Sequence, residues 1–134
     1  MSDGEGFYDW FIKTDALEVS RALANEGYRA PGTLSCDELD LLASNILTMD
    51  EGHAANAVVI LSHHDPSRLL PVLSRLLADP RADVWCAAEG ALLELPKDIV
   101  TPEIVNEIRG AVRQRSGDLE DSYTIKWFLN SLAR

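Results

Sequence analysis

The stretch Leu69–Leu95 reads LLPVLSRLLADPRADVWCAAEGALLEL, and its spacing decides the fold class. Leu69, Val72, Leu73, Leu76 and Leu77 recur at i, i+3, i+4, i+7 and i+8. After the turn signal Asp79-Pro80, Val84, Ala87, Ala88, Ala91, Leu92 and Leu95 recur with the same kind of spacing. An α-helix completes a turn in 3.6 residues, so each set occupies one face of a helix. The predicted unit is a helical hairpin, and the small alanines of its second arm let a neighbouring backbone approach closely.

The same pattern recurs on both sides of this hairpin. Upstream, Ser35-x-x-Glu38 fits a capping box and opens a helix to about Thr48, with Leu39, Leu42, Ala43, Ile46 and Leu47 inward. Asp50, Glu51 and Gly52 are expected to form a turn, followed by a helix to about Ser62 with Ala54, Ala57, Val58 and Leu61 inward. These two sets map onto the first arm at an offset of 30 and onto the second at an offset of 34. Asp65 and Pro66 supply the cap and first position of the central hairpin, and Pro71 either kinks its first helix or delays it to near Leu70.

Downstream, Thr101-Pro102-Glu103 restarts a helix with an N-cap, a first-turn proline and an early acid. Ile104, Ile108, Ala111 and Val112 follow at an offset of 35 from the central hairpin. Ile125, Phe128, Leu129 and Leu132 then stand where Ala88, Ala91, Leu92 and Leu95 stood, at an offset of 37. Bulky residues there suit a terminal helix with no further repeat against its back. No strand is strongly signalled, since the β-prone run Ala57–Leu61 lies inside an alanine-rich helical pattern.

Near the N-terminus, Phe7, Tyr8, Trp10, Phe11 and Ile12 crowd together. Asp15 is a candidate N-cap for a helix to about Glu26, with Leu17 and Leu23 inward and Gly27 as its stop. The end of a stack of repeats must be covered, so residues 7–27 are expected to form a cap. The alternative is that the aromatic cluster is an exposed docking patch.

The order LLPxLxxLLxDPxxxVxxAAxxALxxL resembles the HEAT-repeat consensus. The matching residues are Leu69, Leu70, Pro71, Leu73, Leu76, Leu77, Asp79, Pro80, Val84, Ala87, Ala88, Ala91, Leu92 and Leu95. The resemblance implies an all-α fold, a short right-handed α-solenoid within a single domain spanning residues 1–134. Three HEAT-like hairpins would occupy residues 35–63, 68–96 and 102–133, behind the N-terminal helical cap at 7–27. Trp85 stands where the family often carries the Arg of its inter-repeat polar ladder. In the family, helix B tends to line the concave side where partners bind. Off their inward stripes the B helices here carry Glu51, Asn56, Trp85, Glu89, Ser122, Tyr123, Lys126, Trp127 and Asn130. Trp85 and Trp127 are either binding anchors or rings packed over a neighbouring repeat.

Composition narrows the function. At 134 residues and 46% hydrophobic content, one domain with a sufficient core is expected. No run of about 18 apolar residues occurs, so no transmembrane span is expected. The start MSDGEGFYDW lacks the basic region of a signal peptide. Cys36 and Cys86 are isolated thiols, expected to be reduced and semi-buried in a cytoplasmic protein.

The net charge of −10 is unevenly distributed. Residues 1–67 carry 12 acidic and 3 basic side chains, a net of −9, whereas residues 68–134 carry 10 and 9, a net of −1. Such a surface repels phosphate backbones and attracts basic partners, so a basic protein is the expected partner, with no nucleic acid and no membrane. Solubility is the other account of the same charge. The oligomeric state stays open, a monomer being compatible with the sequence.

No catalytic constellation stands out. His53, His63 and His64 have no His-x-x-x-His, HExxH or paired-cysteine context, so no metal is expected. HEAT-repeat hydroxylases carry His-Glu pairs as iron ligands, and no such pair occurs here. His63 and His64 suit the C-terminal end of a helix dipole. GxSxG, Walker and GxGxxG motifs are absent, and Glu89 among alanines reads as an outward, solvated side chain. The chain is expected to be non-catalytic and without cofactors.

Two functions fit. Bacterial immunity proteins that neutralise nuclease toxins are short, acidic, non-catalytic and often helical, and the chain is similar to them in these respects. The residues expected to bind are Asp37, Glu38, Asp40, Asp50 and Glu51, with Glu89 beside them and Trp85 and Tyr123 as anchors. The second function is a HEAT-type adaptor or assembly factor for a larger complex.

Overall fold

A computed structural model describes residues 7–25, 34–116, 126–128 and 130 of the chain. Its α-helices are α1 (Phe7–Lys13), α2 (Ala16–Asn25), α3 (Cys36–Asn45), α4 (Glu51–His64), α5 (Leu73–Leu77), α6 (Ala82–Leu92) and α7 (Pro102–Ser116). Short 3-10 helices lie at Ile46–Thr48, Pro66–Leu69 and Lys97–Ile99, and no strand occurs among the described residues. No helix among them is long and apolar enough to cross a membrane.

The helices pack in alternation. α3 lies on α4 and α5 lies on α6, as hairpin partners. α4 lies between α2 and α6, while α1 touches α3 and α5 touches α7. α4 against α6 is the most extensive of these contacts. The apolar stripes converge on one core cluster that runs from Phe7 and Phe11 through Leu42, Leu61, Leu76 and Leu92 to Val112 and Phe128.

Of the expected inward residues, Leu39, Leu42, Ile46, Ala54, Ala57, Val58 and Leu61 are buried, whereas Ala43 and Leu47 are half-buried against the same core. α4 goes further, because Asn56, Ile60 and Ser62 are buried as well. A helix enclosed on most sides has no solvent stripe, which is why an apolar, alanine-rich sequence suits it.

At the N-terminus, Phe7 and Phe11 are buried, with Trp10 half-buried against Phe7 at a ring-centroid distance of 5.4 Å. The aromatic cluster therefore covers the core rather than standing exposed as a patch. Asp15 caps α2 as expected, its Oδ1 accepting the Leu17 N–H at 2.9 Å. Leu17, expected inward, is instead 59% exposed. Val19 and Leu23, one turn apart, are the buried pair, so the inward face of α2 is rotated from the expected one. Gly27 and the loop at 29–33 lie outside the described residues.

Four further expectations need correction. Asp50, Glu51 and Gly52 do not form a separate turn: Asp50 is the N-cap of α4, and Glu51 and Gly52 begin the helix. The sequence signal was present, because Asp at an N-cap is as common as Asp in a turn.

Pro71 delays the central hairpin's first helix past Leu70, to Leu73. Proline has no N–H and its ring opposes the preceding turn, so the chain runs through 3-10-type bonds until Val72 donates to Leu69 O at 3.0 Å.

Glu89, expected outward, is only 7% exposed. It adjoins the buried Ala88 and lies one turn from Leu92, within a flank of α6 that packing encloses. Among the described residues no buried side-chain polar atom lacks a partner. Cys36 and Cys86 are both exposed rather than semi-buried, and neither forms a disulfide.

Candidate functional site

The acidic residues expected to form a binding surface are divided by the fold into two groups. One group serves helix termini, where the first backbone N–H groups lack intrahelical acceptors and carry partial positive charge. Ser35 Oγ accepts the Glu38 N–H at 3.2 Å, which is half of the capping box. The Glu38 carboxylate reaches elsewhere and accepts the Tyr8 N–H in the first turn of α1 at 2.8 Å. Glu51 Oε2 accepts the Asp83 N–H at 3.0 Å, so an acid on α4 caps α6. Asp50 caps its own helix, accepting the His53 N–H at 3.3 Å.

Two arginines from the second half of the sequence also reach back to the first half. Arg68 bonds Asp40 on α3 and also Asp65 Oδ2, the latter at 3.1 Å. Arg81 grips Asp79 with Nε and Nη2, both at 3.0 Å, and its Nη1 donates to Met49 O at 2.9 Å. This fork ties the turn before α6 to the turn before α4. It provides a polar link between neighbouring hairpins, and Trp85 is half-buried on α6. The division of charge at residue 68 in the sequence is thus partly cancelled in space.

The pairing shifts titrations in the expected directions. Asp79 lies below the usual carboxylate range because the Arg81 side chain bonds its charged form, which outweighs desolvation. Arg81 is raised by the same bond, with Glu51 and Asp50 adding their charge. For Asp50, burial acts to raise the value, but the His53 backbone N–H and ring together outweigh it and the net direction is down.

The second group of acids faces solvent. Asp37 is exposed on the first turn of α3, and Asp9, Glu18, Asp83 and Glu94 are exposed on α1, α2 and the α6 hairpin. Asp40 and Asp50 are exposed despite their partners. Among the described helical residues of α1–α3 the exposed bases are Lys13 and Arg21. Tyr123 and Ser122 lie outside the described residues. Trp127 is 54% exposed, while Phe128 beside it is buried.

Asn56, expected off the inward stripe of its helix, is instead buried, because α2 packs against that side of α4. It donates from Nδ2 to Ala16 O and lies next to Ser20 Oγ, both at 3.0 Å. A cavity of about 190 Å³ opens beside them between α2 and α4, lined by Leu23, Ala24 and Val59. A larger open groove of about 770 Å³ runs between α5 and α7, past Ala78, Gly110 and Ala111. Its rim mixes Arg75 with Asp79 and Glu107, so it has no single charge sign. Among the described residues no group of three His, Cys, Asp or Glu side chains is placed to hold a metal ion.

No family model, curated protein or solved structure matches the chain.

Proposed function

We propose that the chain is a non-catalytic, protein-binding α-solenoid of HEAT-like hairpins, and that it inhibits a basic partner, such as a nuclease toxin, by covering its active groove. The observation that carries this reading is the exposed surface of α1–α3. Asp9, Asp15, Glu18, Asp37 and Asp40 stand there against Lys13 and Arg21. An acidic face of this kind raises the encounter rate with a basic protein and fixes its orientation. The alternation of contacts, with α4 on α6 and α5 on α7, supports a stacked-hairpin scaffold that presents such a face.

One observation favours the second reading, a HEAT-type adaptor for a partner without strong charge. Arg68 and Arg81 return to Asp40 and toward Asp50 and Glu51, and Glu38 and Glu51 are engaged at helix termini. A pull-down at low and at high salt separates the two. The inhibitor reading expects a strongly basic partner that is lost by about 300 mM salt, where surface charges are screened within several ångströms. A neutral partner retained at that salt would leave the adaptor reading standing instead.

A further inference from the structure

His53 lies where the N-terminal helical pair meets α4, and both of its ring nitrogens face oxygen. Nδ1 is 2.6 Å from Asp50 Oδ1 at the N-cap of α4. Nε2 is 2.7 Å from the carbonyl oxygen of Thr14, in the elbow between α1 and α2. A carbonyl and an ionised carboxylate only accept, so each nitrogen has to donate. A neutral imidazole carries a single N–H, and the imidazolium alone satisfies both partners. The side chain is 14% exposed, and its ring meets Phe11 edge-on with centroids 5.3 Å apart. The ring thus joins the elbow directly to the N-cap of α4.

We propose that His53 is a proton-dependent clamp that fastens α1 and α2 to the first turn of α4. With both protons in place the ring bridges Asp50 and Thr14. With one removed, a nitrogen lone pair faces an oxygen lone pair across less than 3 Å, and one side of the bridge opens. Phe11 and Phe7 then lose part of what holds them over the core.

Charged groups surround the ring from several elements. Asp50 is the direct partner, and Glu51 follows it on α4. Lys13 and Asp15 flank Thr14 in the elbow, Asp9 lies on α1, and Glu38 from α3 holds the start of α1. From the α6 side, Arg81 reaches Met49 O and feels the charge of Asp50. Asp50 sets the acid limit. Its carboxylate is held down by His53, so its contribution is present above the ordinary carboxylate value and lost as the pH falls through the lowered one. The clamp itself needs the imidazolium, which alone donates from both ring nitrogens to Asp50 and Thr14.

Amide hydrogen exchange on the full-length protein between pH 5.5 and pH 8, corrected for intrinsic base catalysis, reads the clamp locally. Protection of the α1 amides, including the Thr14 N–H that bonds Trp10 O, should fall several-fold as the pH rises. One linked proton sets a ceiling of about tenfold per pH unit. His53→Gln should abolish that fall, and the double variant His63→Gln/His64→Gln should keep it. An equal fall in His53→Gln would overturn the proposal. Should His53→Gln not fold, nitrogen NMR of the wild-type ring decides. Two protonated nitrogens at pH 6 support the clamp, and a neutral tautomer at that pH, with α1 docked, overturns it.

Discussion

Gly52 in α4 and Ala16 in α2 meet so closely that a Cβ on Gly52 would stand 2.7 Å from the Ala16 Cβ. Real methyl groups do not approach to that distance, and neither atom is at the end of a flexible side chain. Gly52→Ala should therefore push α2 away from α4 and destabilise the protein by about 1–3 kcal/mol, despite the better helix propensity of alanine. Gly90, exposed on α6 with open space within 4 Å among the described residues, is the contrasting position. Gly90→Ala should stabilise by roughly 0.5–1 kcal/mol. Urea denaturation of the two variants should give opposite shifts in midpoint.

Glu51 and Asp37 look alike in the sequence, as early acids of successive helices, but the fold gives them different tasks. Glu51 accepts the Asp83 N–H and caps α6, whereas Asp37 is exposed. Glu51→Ala should lower stability by about 0.5–2 kcal/mol, the usual loss for a cap. Asp37→Asn should change it by no more than about 0.5 kcal/mol. Equal effects of the two substitutions would contradict the assigned cap.

Leu17 and Leu23 test the rotation of α2. Leu23 is fully buried and Leu17 is largely exposed. Leu23→Ala should destabilise by roughly 2–5 kcal/mol, and Leu17→Ala by about 0.5 kcal/mol or less. Thermal denaturation of both variants checks the order, and equally large losses would restore the face expected from the sequence, with both leucines inward.

Asp79 provides an acid-sensitive link. The Arg81 fork lowers its pKa in the folded state, so the carboxylate stabilises the protein at pH values above its ordinary range, near 3.9. That contribution is lost as the pH falls through the lowered folded value. Asp79→Asn should be less stable than wild type at pH 7, and the difference should narrow below about pH 4. Parallel denaturant titrations at pH 7 and pH 3 measure it, and a constant difference would show that the fork does not act through charge.

Much of the helical architecture was legible because periodicity reports burial directly. Leu39, Leu42, Ala54, Ala57, Leu76, Leu77, Ile108 and Val112 face the core as their spacing requires. Side chains whose environment depends on a distant element were not legible. Glu89 is buried by packing around α6 that no local pattern records. Glu38 and Glu51 cap helices 30 and 32 residues away in sequence, which spacing within one helix does not reveal. Pro71 announced a disturbance, but how far it would shift the helix start depended on the 3-10 bonding around it. The acidic character of the N-terminal half was visible at once, whereas its partial neutralisation by Arg68 and Arg81 required the fold.

Binding of the proposed basic partner as a function of salt tests the central claim most directly. Asp9, Glu18 and Asp37 are exposed, so Asp9→Asn/Glu18→Gln/Asp37→Asn removes surface charge without touching the core. For the wild type, affinity should fall by about tenfold or more between 50 and 300 mM salt, and the triple variant should bind more weakly with a shallower salt slope. A partner bound equally well at both salt concentrations, and equally by wild type and variant, would contradict recognition through the acidic face.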